Sequence, residues 1–138
     1  MTTPTQRTIA MLKEQGITHV GIVERYIKSG GFGHRSDLFG IIDLIALLPF
    51  GQSARWKHGI IGIQVFGKTG WPSHVKTVMV EQAINTRAWL IAGGALELHG
   101  WRQLKKKRGG KAMKWVPRIG DVTLKSGELT LTERGTNV

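Results

Sequence analysis

An acid and an amide each stand inside an apolar run: Asp43 within Ile-Ile-Asp-Leu-Ile, and Gln64 within Gly-Ile-Gln-Val-Phe. Taking an unpaired carboxylate out of water costs several kcal/mol, so Asp43 must be paired, hydrogen-bonded or bound to a cation. If the two runs are neighbouring strands, both side chains emerge at one spot on a sheet. Their oxygens then suit a hard cation such as Mg²⁺. Glu24 and Asp37 are further carboxylates that could join them. Each also has a simpler role: Asp37 can cap the turn before its strand, and Glu24 can pair with Arg25 or Arg35 on the surface. His34, His58 and His74 lack zinc-ligand spacing. The chain has no cysteine, which removes disulfides and thiolate metal sites.

The elements that must position these residues follow from period and punctuation. Residues 5 to 15 carry Ile9, Ala10, Met11 and Leu12 at near-helical spacing, with Thr3 or Thr5 as cap and Gly16 as stop. Residues 19 to 27 read as a strand running into a glycine-rich basic loop from Lys28 to His34. That loop lacks the spacing and the following helix of a phosphate-binding loop. Strands are expected over 38 to 48 and 59 to 66, joined by a turn-rich stretch from Pro49 to His58, completing a three-stranded meander. Trp71-Pro72-Ser73 opens a helix with Ser73 as cap. Its apolar stripe, Val80, Ala83, Ile84, Ala88 and Ile91, is expected to face the core, and Gly93-Gly94 ends it. A strand at 95 to 99 and short β runs near 114 to 119, 121 to 124 and 128 to 132 complete the chain. A long helix between the third and fourth strands implies a crossover, hence an α/β fold with a mixed central sheet flanked by helices.

The chain has 138 residues and no evident linker, so one domain is expected, with a basic segment at 102–118 and a short β-rich tail. No apolar run is long enough to span a bilayer, and the polar N-terminus lacks a signal-peptide core, so a soluble cytoplasmic protein is expected. Twenty Lys and Arg against nine Asp and Glu give a formal net charge of +11, which implies a polyanionic partner, nucleic acid first. From 102 to 118 there are eight cations and no acid: Arg102, Lys105, Lys106, Lys107, Arg108, Lys111, Lys114 and Arg118. Trp101 and Trp115 flank most of this run and are expected to be core anchors rather than a stacking surface for bases.

Taken together, Val23-Glu24-Arg25, the string from Arg35 through Asp37 and Asp43 to Leu47, Ile63-Gln64-Val65 and Leu98-His-Gly-Trp101-Arg102 resemble the PD-(D/E)xK nuclease superfamily. They are most similar to a phage and prophage group related to archaeal-type Holliday-junction resolvases, over roughly residues 5 to 103. The resemblance implies a restriction-endonuclease-like α-β-β-β-α-β core and Mg²⁺-dependent cleavage of DNA, with Mn²⁺ as a substitute ion. It implies a homodimer acting on branched DNA in a bacterial or phage-infected cell. Asp43 takes the metal-binding aspartate position and Gln64 the second acidic position, with the Val65 carbonyl as a third oxygen. Asp37 and Glu24 are the carboxylates available to compensate for the neutral Gln64. The family lysine is replaced by Phe66, leaving Lys68 or Lys76 to supply the missing ammonium. Lys28, Arg35, Arg102, Lys105, Lys106, Lys107, Arg108 and Lys111 are the expected phosphate contacts. Two other classes remain open at this point: a nuclease-like DNA-binding protein that no longer cuts, and an RNA-binding module, for which no RNA-recognition signature is present.

Overall fold

The computed structural model describes residues 2–29, 32–48, 59–67 and 69–135, leaving out the side chains at 27–29, 32 and 34. The stretch from Pro49 to His58, and Lys68, lie outside the described residues. Helix α1 spans Pro4–Glu14. Thr3 caps it through a reciprocal box with Gln6, and Pro4 starts the first turn. Gly16 takes a left-handed φ of 85° just past its end, a conformation that favours glycine.

Among the described residues the fold is mixed α/β. Its six-stranded sheet has the order β1-β4-β5-β6-β7-β8, with β2 and β3 forming a separate hairpin. The strands are β1 His19–Ile22, β2 Arg25–Ser29, β3 Phe32–Ser36, β4 Leu44–Leu47, β5 Ile60–Phe66, β6 Ala95–Lys105, β7 Met113–Lys125 and β8 Glu128–Glu133. All neighbouring pairs in the sheet are antiparallel except β5 and β6, which run parallel and are joined by the helical crossover α2 Trp71–Lys76 and α3 Ala83–Ile91. One face of the sheet packs Leu12 and Ile17 against Leu44, Ala46, Ile61 and Ile63. The other packs Phe66, Trp71 and Val78 against Ile42, Leu96, Leu98 and Val122. On that face Gly100 and Gly120 make room for rings: a Cβ on Gly100 would lie 2.8 Å from Phe66, and one on Gly120 would lie 3.1 Å from Trp71.

Several expectations need correcting. The strand expected over 19 to 27 breaks at Val23-Glu24, and the expected basic loop is the β2–β3 hairpin. The strand expected from residue 38 begins only at Leu44, because residues 38 to 41 form a tight turn. Ser73 does not cap the crossover helix; the N-cap is Gly70, whose carbonyl accepts a hydrogen bond from Ser73 Oγ at 3.0 Å.

The apolar stripe expected in the core is on the outside, with Val80, Ile84 and Ile91 67%, 83% and 73% exposed. Trp71, Val78 and Thr86 are buried instead, with Val75, Met79, Trp89 and Leu90 packed beside them. This helical region is apolar on two faces, and its middle turn, Thr77–Glu81, is a π-helix. Thr86 Oγ1 donates to the carbonyls of Val78 and Gln82 at 2.7 and 3.0 Å.

Of the two tryptophans, Trp101 is a buried anchor, but Trp115 is 43% exposed with the Arg7 guanidinium stacked on its ring. The basic segment forms the far half of one long antiparallel ribbon, β6 with β7.

Candidate metal centre

Backbone geometry assembles the carboxylates. The N–H groups of Val23 and Glu24 both donate to the Asp43 carbonyl, at 2.9 and 3.2 Å, so the break between β1 and β2 is locked against the start of β4. This sets Glu24 beside Asp43. The Ile41 N–H donates to the Leu38 carbonyl at 3.1 Å, closing a β-turn whose central residues are Phe39 and Gly40, with φ of 56° and 73°. Two positive φ values are the mirror-image turn geometry. Phe39 pays the steric penalty of a left-handed side-chain-bearing residue. Asn85 holds the turn from α3 by donating to the Phe39 carbonyl at 3.0 Å. The reversal brings Asp37 back onto Asp43, and the result is a cluster of Glu24, Asp37 and Asp43 with one oxygen from each within 4.8 Å of the others.

Asp43 is 4% exposed. Its Oδ2 accepts from the Val65 N–H at 2.8 Å, which ties it to β5. Burial, a side-chain hydrogen bond to Asp37 and the charges of Asp37 and Glu24 push its carboxyl up to about 9, against the lowering effect of the Val65 bond. Without a cation, Asp43 therefore keeps its proton at neutral pH. Glu24 is paired with Arg35 at 3.3 Å, the cation in contact with this cluster among the described residues.

Gln64 is nearly fully buried, and both ends of its amide are engaged. Nε2 donates to Asp37 Oδ2 at 3.2 Å, and Oε1 lies 3.2 Å from His74 Nδ1. The His74 ring stacks on Phe66, with centroids 4.2 Å apart and planes 5° from parallel. Burial lowers the His74 pKa, opposed by the Asp37 charge, so the ring is neutral at pH 7 and can donate from Nδ1 to Gln64. Gln64 thus braces Asp37 rather than presenting its oxygen as a ligand.

The donor set fits a hard divalent cation. It is all carboxylate oxygen, and burial first, then the hydrogen bond and charges of its neighbours, leaves Asp43 holding a proton that a cation would displace. Oxygens about 2.1 Å from an octahedral Mg²⁺ sit about 2.9 Å apart when adjacent and about 4.2 Å when opposite, so the cluster must draw inward to close on such an ion.

No family model, curated protein or solved structure matches the chain.

The sequence-derived residues therefore divide. Asp43, Asp37, Glu24 and Gln64 are brought together, and Val65 enters through its N–H rather than the expected carbonyl. Lys76 is exposed on α2 with no contact to the cluster given by its bonds or ion pairs, while Lys68 and the Lys28 side chain lie outside the described part of the chain. Arg35 reaches the cluster, whereas Arg102, Lys105, Lys106, Lys107, Arg108 and Lys111 belong to the ribbon. His74 is not legible as a site residue from ligand spacing, since it binds the cluster through Gln64 rather than directly. Its place in the first turn after the helix-starting Trp71-Pro72, just beyond the strand carrying Gln64, was the usable signal.

Proposed function

We propose that this protein is a metal-dependent endodeoxyribonuclease of the structure-specific, Holliday-junction-resolvase-like kind. The observation that carries the reading is the convergence of Glu24, Asp37 and a buried Asp43 where β4 meets the end of β5. The succession α1, β1, β4, β5, crossover helices and a parallel β6 supports it, since this is the order of a restriction-endonuclease-like core with a hairpin inserted after its first strand. The net charge of +11 supports a polyanionic substrate.

Glu24, Asp37 and Asp43 would hold Mg²⁺, or Mn²⁺ in its place. When bound, the ion supplies charge neutralisation at the scissile phosphate and a lowered pKa for water. The chain's own residues do the rest. The Val65 N–H orients Asp43, Gln64 orients Asp37, and His74 fixes the Gln64 amide so that neither carboxylate turns away. Arg35, whose side chain is mostly solvent-exposed beside Glu24, is placed to contact a phosphate at the rim. Cutting paired strands of a symmetric branch takes two copies of the chain.

A second reading is favoured by one observation. The position of the family lysine is taken by Phe66, whose ring stacks on His74, so no ammonium stands at that position. On that reading the protein binds DNA without cutting it. Incubation with labelled four-way-junction and linear duplex DNA in Mg²⁺, Mn²⁺ or EDTA, read on denaturing gels, separates the two. A nuclease gives metal-dependent cuts near the branch that Asp43→Ala abolishes while binding persists. Binding without cleavage in either metal establishes the second reading, and preference for structured RNA overturns both.

A further inference from the structure

The ribbon of β6 and β7 runs well past the rest of the sheet. Gln64 at the carboxylate end of β5 is paired with Leu98, and the β6–β7 register continues from there to Lys105 opposite Met113. At about 3.3 Å per residue, Lys105 lies about 23 Å beyond the Gln64 register, and the turn extends further. Because β5 and β6 are parallel, the ribbon leaves the sheet at the end that carries the carboxylates.

The chemistry of this projection is one-sided. Lys105, Lys106, Lys107, Arg108 and Lys111 are all exposed, and none has a salt bridge among the described residues. No acidic residue occurs between Arg102 and Gly120. Like charges this close repel one another, a cost that salt screens in part and a dense anionic partner relieves. The turn itself, Lys106 to Ala112, has no apolar side chain larger than alanine, so it offers nothing to bury in a bilayer. At the base of the ribbon Arg102 and Arg118 line a recess with Gly67 and Trp71, and Arg102 Nε is buried without a hydrogen-bond partner among the described residues. Arg118 is paired with Glu133 at 2.6 Å, so Arg102 is the cation that extends the run from the tip back toward the end of β5.

We infer that this ribbon is a groove arm, lying in the major groove of B-form DNA while the carboxylate centre sits on the backbone of the same duplex. The major groove of B-DNA, about 12 Å wide, admits a two-stranded ribbon, whereas the major groove of A-form RNA is too narrow for one. Shape thus selects DNA over double-stranded RNA, and the lysines supply affinity without reading sequence. The inference rests on the nuclease-like reading only for placing the backbone at the carboxylates. The arm's own binding does not depend on cleavage.

The test is fluorescence anisotropy in EDTA with a duplex DNA and a duplex RNA of equal length, over a range of salt. The wild type is compared with a variant carrying Lys→Gln at 105, 106, 107 and 111 and Arg108→Gln. The wild type should prefer the DNA. The variant should bind it at least about tenfold more weakly at moderate salt, with a log–log salt slope reduced by up to about 4.5, at about 0.9 per lost phosphate contact. If circular dichroism shows the variant misfolded, the pair Lys106→Gln and Lys107→Gln in the turn serves instead, with a slope reduced by about 2. Unchanged affinity and slope, or equal binding to the RNA, overturns the arm. The arm and the nuclease reading fail separately: the anisotropy is read in EDTA, where no cleavage is needed, so DNA binding that depends on the arm cations upholds the arm even if no preparation cleaves in Mg²⁺ or Mn²⁺.

Discussion

Asp43 illustrates how far one position can be read and where reading stops. Its place in an apolar run announced a carboxylate with a partner, and Glu24 and Asp37 were identifiable as further acids. The orientation of Gln64 was not legible, because it depends on His74, whose ring is held by stacking on Phe66. Two residues that look like losses from a nuclease pattern are thus the pair that steadies the remaining carboxylates. The raised Asp43 pKa has a consequence for stability. The folded protein holds this proton to about pH 9 and the unfolded chain only to about 3.8. The stabilisation from the proton is therefore complete below the unfolded value and is lost steadily as pH rises from about 4 to about 9. Asp43→Asn keeps an acceptor for Val65 and a donor for Asp37 with no proton to lose. In EDTA it should melt higher than the wild type at pH 8 and show a flatter dependence of melting temperature on pH. Mg²⁺ should raise the wild-type melting temperature more at pH 8 than at pH 6 and leave the variant unmoved. A variant less stable than the wild type at pH 8 in EDTA would sink the assignment.

At the level of elements, the existence and order of helix, strands and crossover were legible, whereas their edges and facing were not. The run from Asp37 to Leu47 looks like one strand because its residues are β-branched and apolar. Instead, Phe39 and Gly40 reverse the chain, with Asn85 from α3 holding the turn, a contact 46 residues away in sequence. The crossover helices carry apolar stripes on two faces, so periodicity could not choose between them. Bulk chose, with Trp71 and Trp89 turned to the sheet. On the opposite face of the sheet, α1 is fastened by a polar network rather than by apolar contact alone. Trp101 Nε1 donates to Thr8 Oγ1 at 2.8 Å, and the same hydroxyl lies 3.2 Å from His99 Nδ1. Thr8→Val matches the shape but strands both ring nitrogens in a dry site, which should cost about 1–3 kcal/mol. Urea unfolding followed by tryptophan fluorescence measures this, and a change below about 0.5 kcal/mol would show the network to be dispensable.

For the molecule as a whole, net charge and the cationic run at 102–118 pointed directly to a polyanion. A β run near 114 to 119 was legible, but its pairing with the lysine-rich end of β6 in one long ribbon was not, because lysine is a poor strand former. Among the described residues, no helix is long and apolar enough to cross a membrane. The sheet is closed at its far side by Arg134, which reaches Glu97 Oε2 at 2.7 Å and holds Asp121 with two hydrogen bonds. Glu97 is 1% exposed and is also bonded to His99 at 2.8 Å. Arg134→Ala should therefore destabilise the protein by about 3 kcal/mol, since it strips a cation from a buried acid. Chemical denaturation reads this directly, and an unchanged midpoint would show that the other partners of Glu97, His99 among them, suffice. The same clamp sets a clock on synthesis. Glu97 leaves the ribosome 37 residues ahead of its cation, a delay of about 2–7 s at ordinary elongation rates. During that interval the parallel strand β6 carries an acid it cannot yet bury, so the half of the chain that holds the carboxylate centre waits for the last strand before it can close.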